Sequence, residues 1–207
     1  MRKILIATHN PAKEKEIKEA LKEIVINVKF VSLKDLKIEK EAEEYGKDFE
    51  ENAFIKAKFY SRLTSLSTLA DDGGLIIPAL NNEPGVKSRR WLGYPAEDEE
   101  LIEYTLKRMQ GLKGKQRLAY LETCVCFYEP KKRFAIFQSE SIEGYIAEKP
   151  SSKRLKGYPF RSLFIVKKFN KYYDELTEKE HNEINHRKKA IKKLAKIIND
   201  QFSIFNE

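Results

Sequence analysis

Leu69-Ala70-Asp71-Asp72-Gly73-Gly74-Leu75 is the stretch on which the reading of this chain turns. A short apolar run ends in two adjacent carboxylates, and two glycines follow at once. Neighbouring carboxylates repel, so an ordered pair calls for a cation or a shared proton. Glycine lacks Cβ, which suits a turn or the close approach of a ligand. Two readings stand side by side. One is a metal-assisted acid/base site at a strand-to-turn junction, the other an ordinary polar hairpin turn, since Asp and Gly dominate turns.

Towards the N-terminus, Thr68 to Ala70 reads as the strand entering the pair. Before it, a helix from Asp48 carries Phe49, Ala53, Ala57 and Tyr60 on one face, with Lys56 near its apolar edge. The acidic segment Glu39 to Glu44 reads as a solvated loop in which Glu44, just before Tyr45-Gly46, is a candidate hard-cation ligand. The chain opens with a continuously apolar strand, Lys3 to Ala7, of the kind buried in a parallel sheet. Thr8-His9-Asn10-Pro11-Ala12-Lys13 follows. Asn10 is a good N-cap and Pro11 suits the first helical position. Ile17, Ala20, Leu21 and Ile24 form the stripe that packs this helix. Backbone N–H groups at such a start bind phosphate. Thr8 adds a hydroxyl, and Lys13 a cation that opposes the helix dipole unless an anion joins it. A second strand is expected over Asn27 to Ser32.

Towards the C-terminus, Leu75 to Ile77 continues as strand into a wide turn at Asn81 to Gly85. Pro95 to Met109 is a helix with Leu101, Ile102, Leu106 and Met109 inward, ended by Gly111 and Gly114. Leu118 to Tyr128 and Arg133 to Ile142 form a hairpin, which Gly144-Tyr145-Ile146 bends or extends. A basic loop, Lys153 to Phe160, precedes the strand Leu163 to Val166. The last helix buries Ile191, Leu194, Ala195 and Ile198 and exposes mostly lysine, with Asn185-His186-Arg187 just before it. Helices interleaved with strands give an α/β fold, a mixed, twisted sheet flanked by helices.

At 207 residues, 41% apolar and 35% charged, the chain suffices for one sizeable core or two lobes sharing a sheet. We expect a single domain over residues 1–207. No run approaches the roughly 18 apolar residues of a membrane span. Cys124 and Cys126 sit two apart in a strand-like run and cannot bridge within it without distortion, which points to a reduced, cytoplasmic setting. Net charge is +8, and residues 151–207 hold most of it, with 14 Lys/Arg against 7 Asp/Glu. Such a basic segment attracts polyanions, whether nucleic acid or a triphosphate.

Five segments in this order resemble the inosine-triphosphate pyrophosphatase (Ham1-like) family: Thr8 to Lys13, Glu51 to Ala57, Ala70 to Leu75, Pro84 to Arg90, and Glu183 to Arg187. The resemblance implies a two-lobed fold with a central cleft, Mg²⁺, and hydrolysis of purine triphosphates such as ITP, XTP and dITP to monophosphate and pyrophosphate. It also implies a homodimer. Thr8, Asn10 and Lys13 would hold the triphosphate and Lys56 would reach phosphate. Glu44 and Asp71 would bind or orient the metal, with Asp72 at the metal and activating water. His186 and Arg187 would donate to the purine O6. Departures fall on the base side. Against the family's Gly-Phe-Gly-Tyr/Trp-Asp-Pro the chain has Gly157-Tyr158-Pro159-Phe160-Arg161-Ser162, keeping two stacking aromatics, Tyr158 and Phe160, but placing Arg161 where the family has Asp. His181 replaces a lysine, Asn185 a serine, and Gly73 a serine at a substrate-binding position. The reading is a pyrophosphatase with an altered base preference. The alternative is a catalytically weak nucleotide- or nucleic-acid-binding paralogue that uses the basic C-terminal third.

Overall fold

A computed structural model describes residues 2–22 and 28–202, without the side chains of Arg2 and residues 199–202. Ile24 and Asn27, assigned above to a helix stripe and a strand, lie outside the described residues. The strands are β1 (Arg2–Ile6), β2 (Val28–Ser32), β3 (Ser67–Ile77), β4 (Glu83–Pro84), β5 (Leu118–Glu129), β6 (Phe134–Ile146), β7 (Phe164–Val166) and β8 (Lys171–Tyr172). The α-helices are α1 (Pro11–Lys22), α2 (Phe49–Thr64), α3 (Asp98–Arg108), α4 (Glu178–Ile184) and α5 (His186–Phe202). The sheet order is β2-β1-β3-β5-β6-β7-β8, with β4 on β3. β1 runs parallel to β2 and β3, whereas β4 on β3, β7 on β6 and β8 on β7 are antiparallel. The sheet is mixed, as the sequence pattern predicts.

The chain divides into two compact units. The first comprises residues 1–72, 123–140 and 186–207, the second 73–122 and 141–185. In the first, Ile4 and Ile6 of β1, Leu69 of β3, and Val125 and Phe127 of β5 bury against Ile17, Ala20 and Leu21 of α1 and Ala190, Ile191, Leu194 and Ile198 of α5. Both helices present apolar residues at spacings of three and four, which is what lets each lay one stripe on the core. In the second, Leu75, Ile77, Trp91, Leu101, Ile102, Met109, Leu163, Phe164 and Tyr173 form the core.

Three expectations are corrected, and one helix is added. The carboxylate pair is not at a strand end, because β3 continues through Asp71, Asp72, Gly73 and Gly74 to Ile77. Both glycines lie within the strand, and Gly74 answers to close approach. A Cβ on Gly74 would stand 2.1 Å from Ser88 Oγ and 2.9 Å from the carbonyl oxygen of Gly85. Helix α3 starts at Asp98, not Pro95, because Glu97 and Glu100 form a capping box there. Helix α5 begins at His186, which puts Arg187 in its first turn. Helix α4 was not expected, although Thr177 and Glu180 carry its capping box three residues apart.

Candidate active site

The register of two parallel strands builds the site. Ile6 of β1 stands beside Leu69 of β3, and the Ala7 N–H donates to the Leu69 carbonyl at 2.8 Å. The chain leaving β1 at Thr8 therefore emerges next to the strand that carries Asp71. β1 ends here while β3 runs on, and open α/β sheets place ligands beside the carboxyl ends of their parallel strands. Asn10 caps α1 as expected: its Oδ1 accepts from the N–H of Ala12 at 2.9 Å and of Lys13 at 3.2 Å. Thr8 Oγ1 accepts from the Asn10 N–H at 3.2 Å.

Asp71 and Asp72 are both buried, at 1% and 7% exposure. Successive side chains of a strand point to opposite faces, and different helices serve the two carboxylates accordingly. Asp71 Oδ2 receives Lys13 Nζ from α1 at 3.1 Å and Arg187 Nε from α5 at 3.0 Å. Arg187 also holds Glu16 of α1 at 2.5 Å. Burial pushes the Asp71 pKa up, but Lys13, Arg187 and Lys56 outweigh it and hold the carboxyl well below the usual range. Its other oxygen, Oδ1, is buried and accepts no hydrogen bond among the described residues.

Asp72 is served by α2. Asn52 Nδ2 donates to its Oδ2 and Lys56 Nζ to its Oδ1, each at 3.1 Å. Lys56 also reaches Glu44 at 3.1 Å, so one ammonium bridges the acidic loop and β3. Burial alone would lower the Lys56 pKa. Asp72, Glu44 and Asp71 reverse that and raise it, keeping the ammonium charged. Lys13 at the helix start thus has its anion, Asp71, and the oddity noted in the sequence is resolved.

The structure thus gathers Glu44, Lys56 and Asp72 into one cluster and Lys13, Asp71 and Arg187 into another. Thr8 and Asn10 lie at the start of α1. His186 opens α5, buried beside Arg187. Two participants escaped the sequence reading. Asn52 is 1% exposed and links Asp72 to the loop, with its Oδ1 accepting from the Gly46 N–H at 2.8 Å. Its signal was a polar residue four positions before Lys56 on the same helix face. Tyr60 donates from its hydroxyl to the Lys40 carbonyl at 3.1 Å, and the same hydroxyl lies 3.1 Å from His9 Nε2. Tyrosine on an apolar helix face reads as core, so its hydroxyl passed unnoticed.

In the second unit, Arg161 is buried with its guanidinium 3.5 Å from the Tyr158 ring centre and 4.6 Å from that of Tyr173. His181 meets Tyr173 edge-on at 5.2 Å. Phe160 is buried against Trp91, with ring centres 6.4 Å apart. Burial lifts the Asp174 carboxyl to about 6, with Arg161 pulling it down. Gly73 lies within β3, where the strand leaves the carboxylate pair.

Among the described residues, no three His, Cys, Asp or Glu side chains form a metal-binding group, and no helix is long and apolar enough to cross a membrane. The Ham1 family profile matches residues 4–197. The chain is 38% identical over 198 residues to the dITP/XTP pyrophosphatase of Bacillus subtilis, covering 96% of this chain and 98% of that one. It is 37% identical over 196 residues to the enzyme of the same name from Thermoanaerobacter pseudethanolicus, covering 95% and 96%. Among solved structures, a HAM1 protein from Coxiella burnetii superposes with a TM-score of 0.84 at 32% identity, covering 97% of this chain and 100% of that one. The nucleoside-triphosphatase / dITP/XTP pyrophosphatase of Mycobacterium abscessus superposes with a TM-score of 0.76 at 31% identity, covering 93% and 98%. A match over nearly the full length in sequence and in fold leads to one conclusion: the chain belongs to the Ham1 family.

Proposed function

We propose that this chain is a Mg²⁺-dependent nucleoside-triphosphate pyrophosphatase that hydrolyses non-standard purine triphosphates, ITP, XTP and dITP, to the monophosphate and pyrophosphate. The observation that carries the proposal is the alternation of carboxylates and cationic side chains, Glu44–Lys56–Asp72 and Lys13–Asp71–Arg187, in which Asp71, Asp72 and Arg187 are buried and the other three half-buried. Buried ion pairs are a poor way to gain stability. Clustered beside β3 they suit a ligand that carries both signs of charge, which a metal triphosphate does. The relatives' names supply the substrate class.

The residues fit a hard cation. The donors are carboxylate oxygens, and Asp71 Oδ1 is buried without a hydrogen bond among the described residues. Mg²⁺ takes one or two carboxylates and leaves its other positions to phosphate and water, so a three-carboxylate cage is not needed. Asp71, Asp72 and Glu44 are the proposed ligands. Bound there, the ion would neutralise charge on the transferring phosphoryl group. Lys13 and Lys56 are the proposed phosphate-binding residues beside it, with Thr8, Asn10 and the start of α1. Asp72, oriented from both oxygens by Asn52 and Lys56, is the proposed general base that takes the proton of the attacking water. His186, Arg187, Tyr158, Phe160, His181, Gly73 and Arg161 are the proposed base-side residues, with Arg161 altering the preference among bases.

We further propose that residues 1–207 act as one catalytic domain, homodimeric and cytoplasmic. The buried thiols of Cys124 and Cys126, both pushed up in pKa by burial, suit a reducing setting. On α5, Lys188 pairs with Glu19 and Lys193 with Glu140, so part of the lysine face is neutralised within the chain, which speaks against a nucleic-acid surface. The test is pyrophosphate release with Mg²⁺ from ITP, XTP, dITP, ATP, GTP, CTP and UTP. Release from ITP, XTP or dITP well above ATP is expected. No release from any of them by folded protein would overturn the proposal.

A further inference from the structure

We infer that Asn52 is a positioning residue for the reaction, holding the Asp72 carboxylate in one orientation and tying it to the loop that carries Glu44. The inference rests on the reading of Asp72 as the base. Asn52 comes from the second turn of α2 and is 1% exposed, so water cannot stand in for its partners at no cost. The Gly46 N–H, 2.8 Å from its Oδ1, can only donate, which settles which end of the amide faces which way. The NH₂ end must then face Asp72, whose Oδ2 accepts from it at 3.1 Å.

The geometry leaves little slack on either side. A Cβ on Gly46 would stand 2.7 Å from Asn52 Oδ1 and 2.8 Å from its backbone N. Only glycine lets the loop come this close to the helix. Asp48 fixes the helix start, accepting from the Glu51 N–H at 2.8 Å, and its carbonyl accepts from the Asn52 N–H at 3.2 Å. Asp72 is thereby held at both oxygens by side chains one helical turn apart, Asn52 and Lys56. Lys56 carries charge and can exchange Asp72 for a phosphate oxygen when substrate arrives. The neutral amide has no such competing partner and keeps the carboxylate aimed throughout. A base held this way needs no reorientation at the moment of proton transfer.

Two variants of the full chain separate positioning from mere support of the loop. Asn52→Asp keeps an acceptor for the Gly46 N–H but replaces the donor to Asp72 with a like charge. Asn52→Ala removes both contacts. Positioning predicts that both variants lose about 100-fold in kcat while KM stays within about threefold, because the base is misaimed and the phosphate contacts are untouched. Parental kcat in folded Asn52→Asp would mean that the loop contact alone matters and would overturn the inference. Parental kcat in Asn52→Ala would do the same. A crystal structure of Asn52→Ala reads the inference without turnover. The Asp72 carboxylate is expected to leave its parental rotamer, and an unmoved Asp72 at full occupancy would overturn the assignment. If the parent releases no pyrophosphate from any substrate but Asp72 still swings free in Asn52→Ala, the pyrophosphatase reading fails and the positioning stands.

Discussion

Arg187 Nε lies 3.0 Å from Asp71 Oδ2, joining the first turn of α5 to β3 across 116 positions of sequence. The same guanidinium holds Glu16 of α1 at 2.5 Å, so its fork spans two carboxylates that a single ammonium would have to share. Arg187→Met should therefore cost about 2 kcal/mol, the loss of charge-assisted hydrogen bonds to two carboxylates while Lys13 still holds Asp71. Arg187→Lys should recover part of it, because the charge returns without the fork. Urea denaturation of the three proteins measures both, and a stable Arg187→Met chain would show that the contact carries no weight.

Asp72→Asn should lower kcat by about 100-fold or more while the fold is retained, since an amide cannot take the proton of the attacking water. Lys56 keeps Glu44 as its partner in this variant, so the half-buried ammonium is not stranded. Initial rates of pyrophosphate release decide it. Undiminished turnover would remove Asp72 from the role of base.

Asp174 gives a pH-dependent signature in the second unit. Its carboxyl is lifted from 3.8 to about 6 by burial, against the pull of Arg161. The folded chain thus holds a proton that the unfolded chain has released. The resulting stability is fully present below 3.8 and lost as pH rises through 6. Asp174→Asn has no such loss. Its stability relative to the parent should rise between about pH 4 and pH 7.5, by on the order of 1 kcal/mol once solvent screening is allowed for. Melting temperatures of the pair across that range test it, and parallel curves would refute it.

Arg161 links this signature to base selection. Arg161→Asp alone removes the cation from between Tyr158 and Tyr173 and sets a second acid near Asp174. Its melting temperature should fall, and Asp174→Asn in the same chain should recover part of the loss. A coupling of about 1 kcal/mol is expected in the double-mutant cycle, whereas strict additivity would separate the two residues. In the stable double variant, the ITP-to-ATP rate ratio should rise if Arg161 faces the base, and an unchanged ratio would show that it points elsewhere.

Gly74→Ala should destabilise by about 1–3 kcal/mol, as overpacking does. Its Cβ would meet Ser88 Oγ at 2.1 Å and the Gly85 carbonyl at 2.9 Å. Adding Ser88→Ala should relieve only the first contact, so recovery is partial. Full recovery in thermal melts would make the backbone contact unimportant.

The chain's own pattern determined a good deal. Asn10 and Pro11 opened α1, Asp48 opened α2, and the apolar spacing of Ile191, Leu194, Ala195 and Ile198 marked the buried face of α5. These are local effects, settled within one or two helical turns, and they read out directly. The pairing of Asp71 with Arg187, of Lys56 with both Glu44 and Asp72, and of Asn52 with Asp72 was decided only in three dimensions. So was the glycine pair, which looks like a turn in sequence and proves to be strand interior, with Ser88 pressed against Gly74. The reason is physical. A strand divides adjacent residues between its two faces, and which helix covers each face is fixed by packing of distant segments. Two neighbouring aspartates therefore look like one site in sequence, while the fold gives them separate partners, Lys13 and Arg187 for Asp71, Asn52 and Lys56 for Asp72.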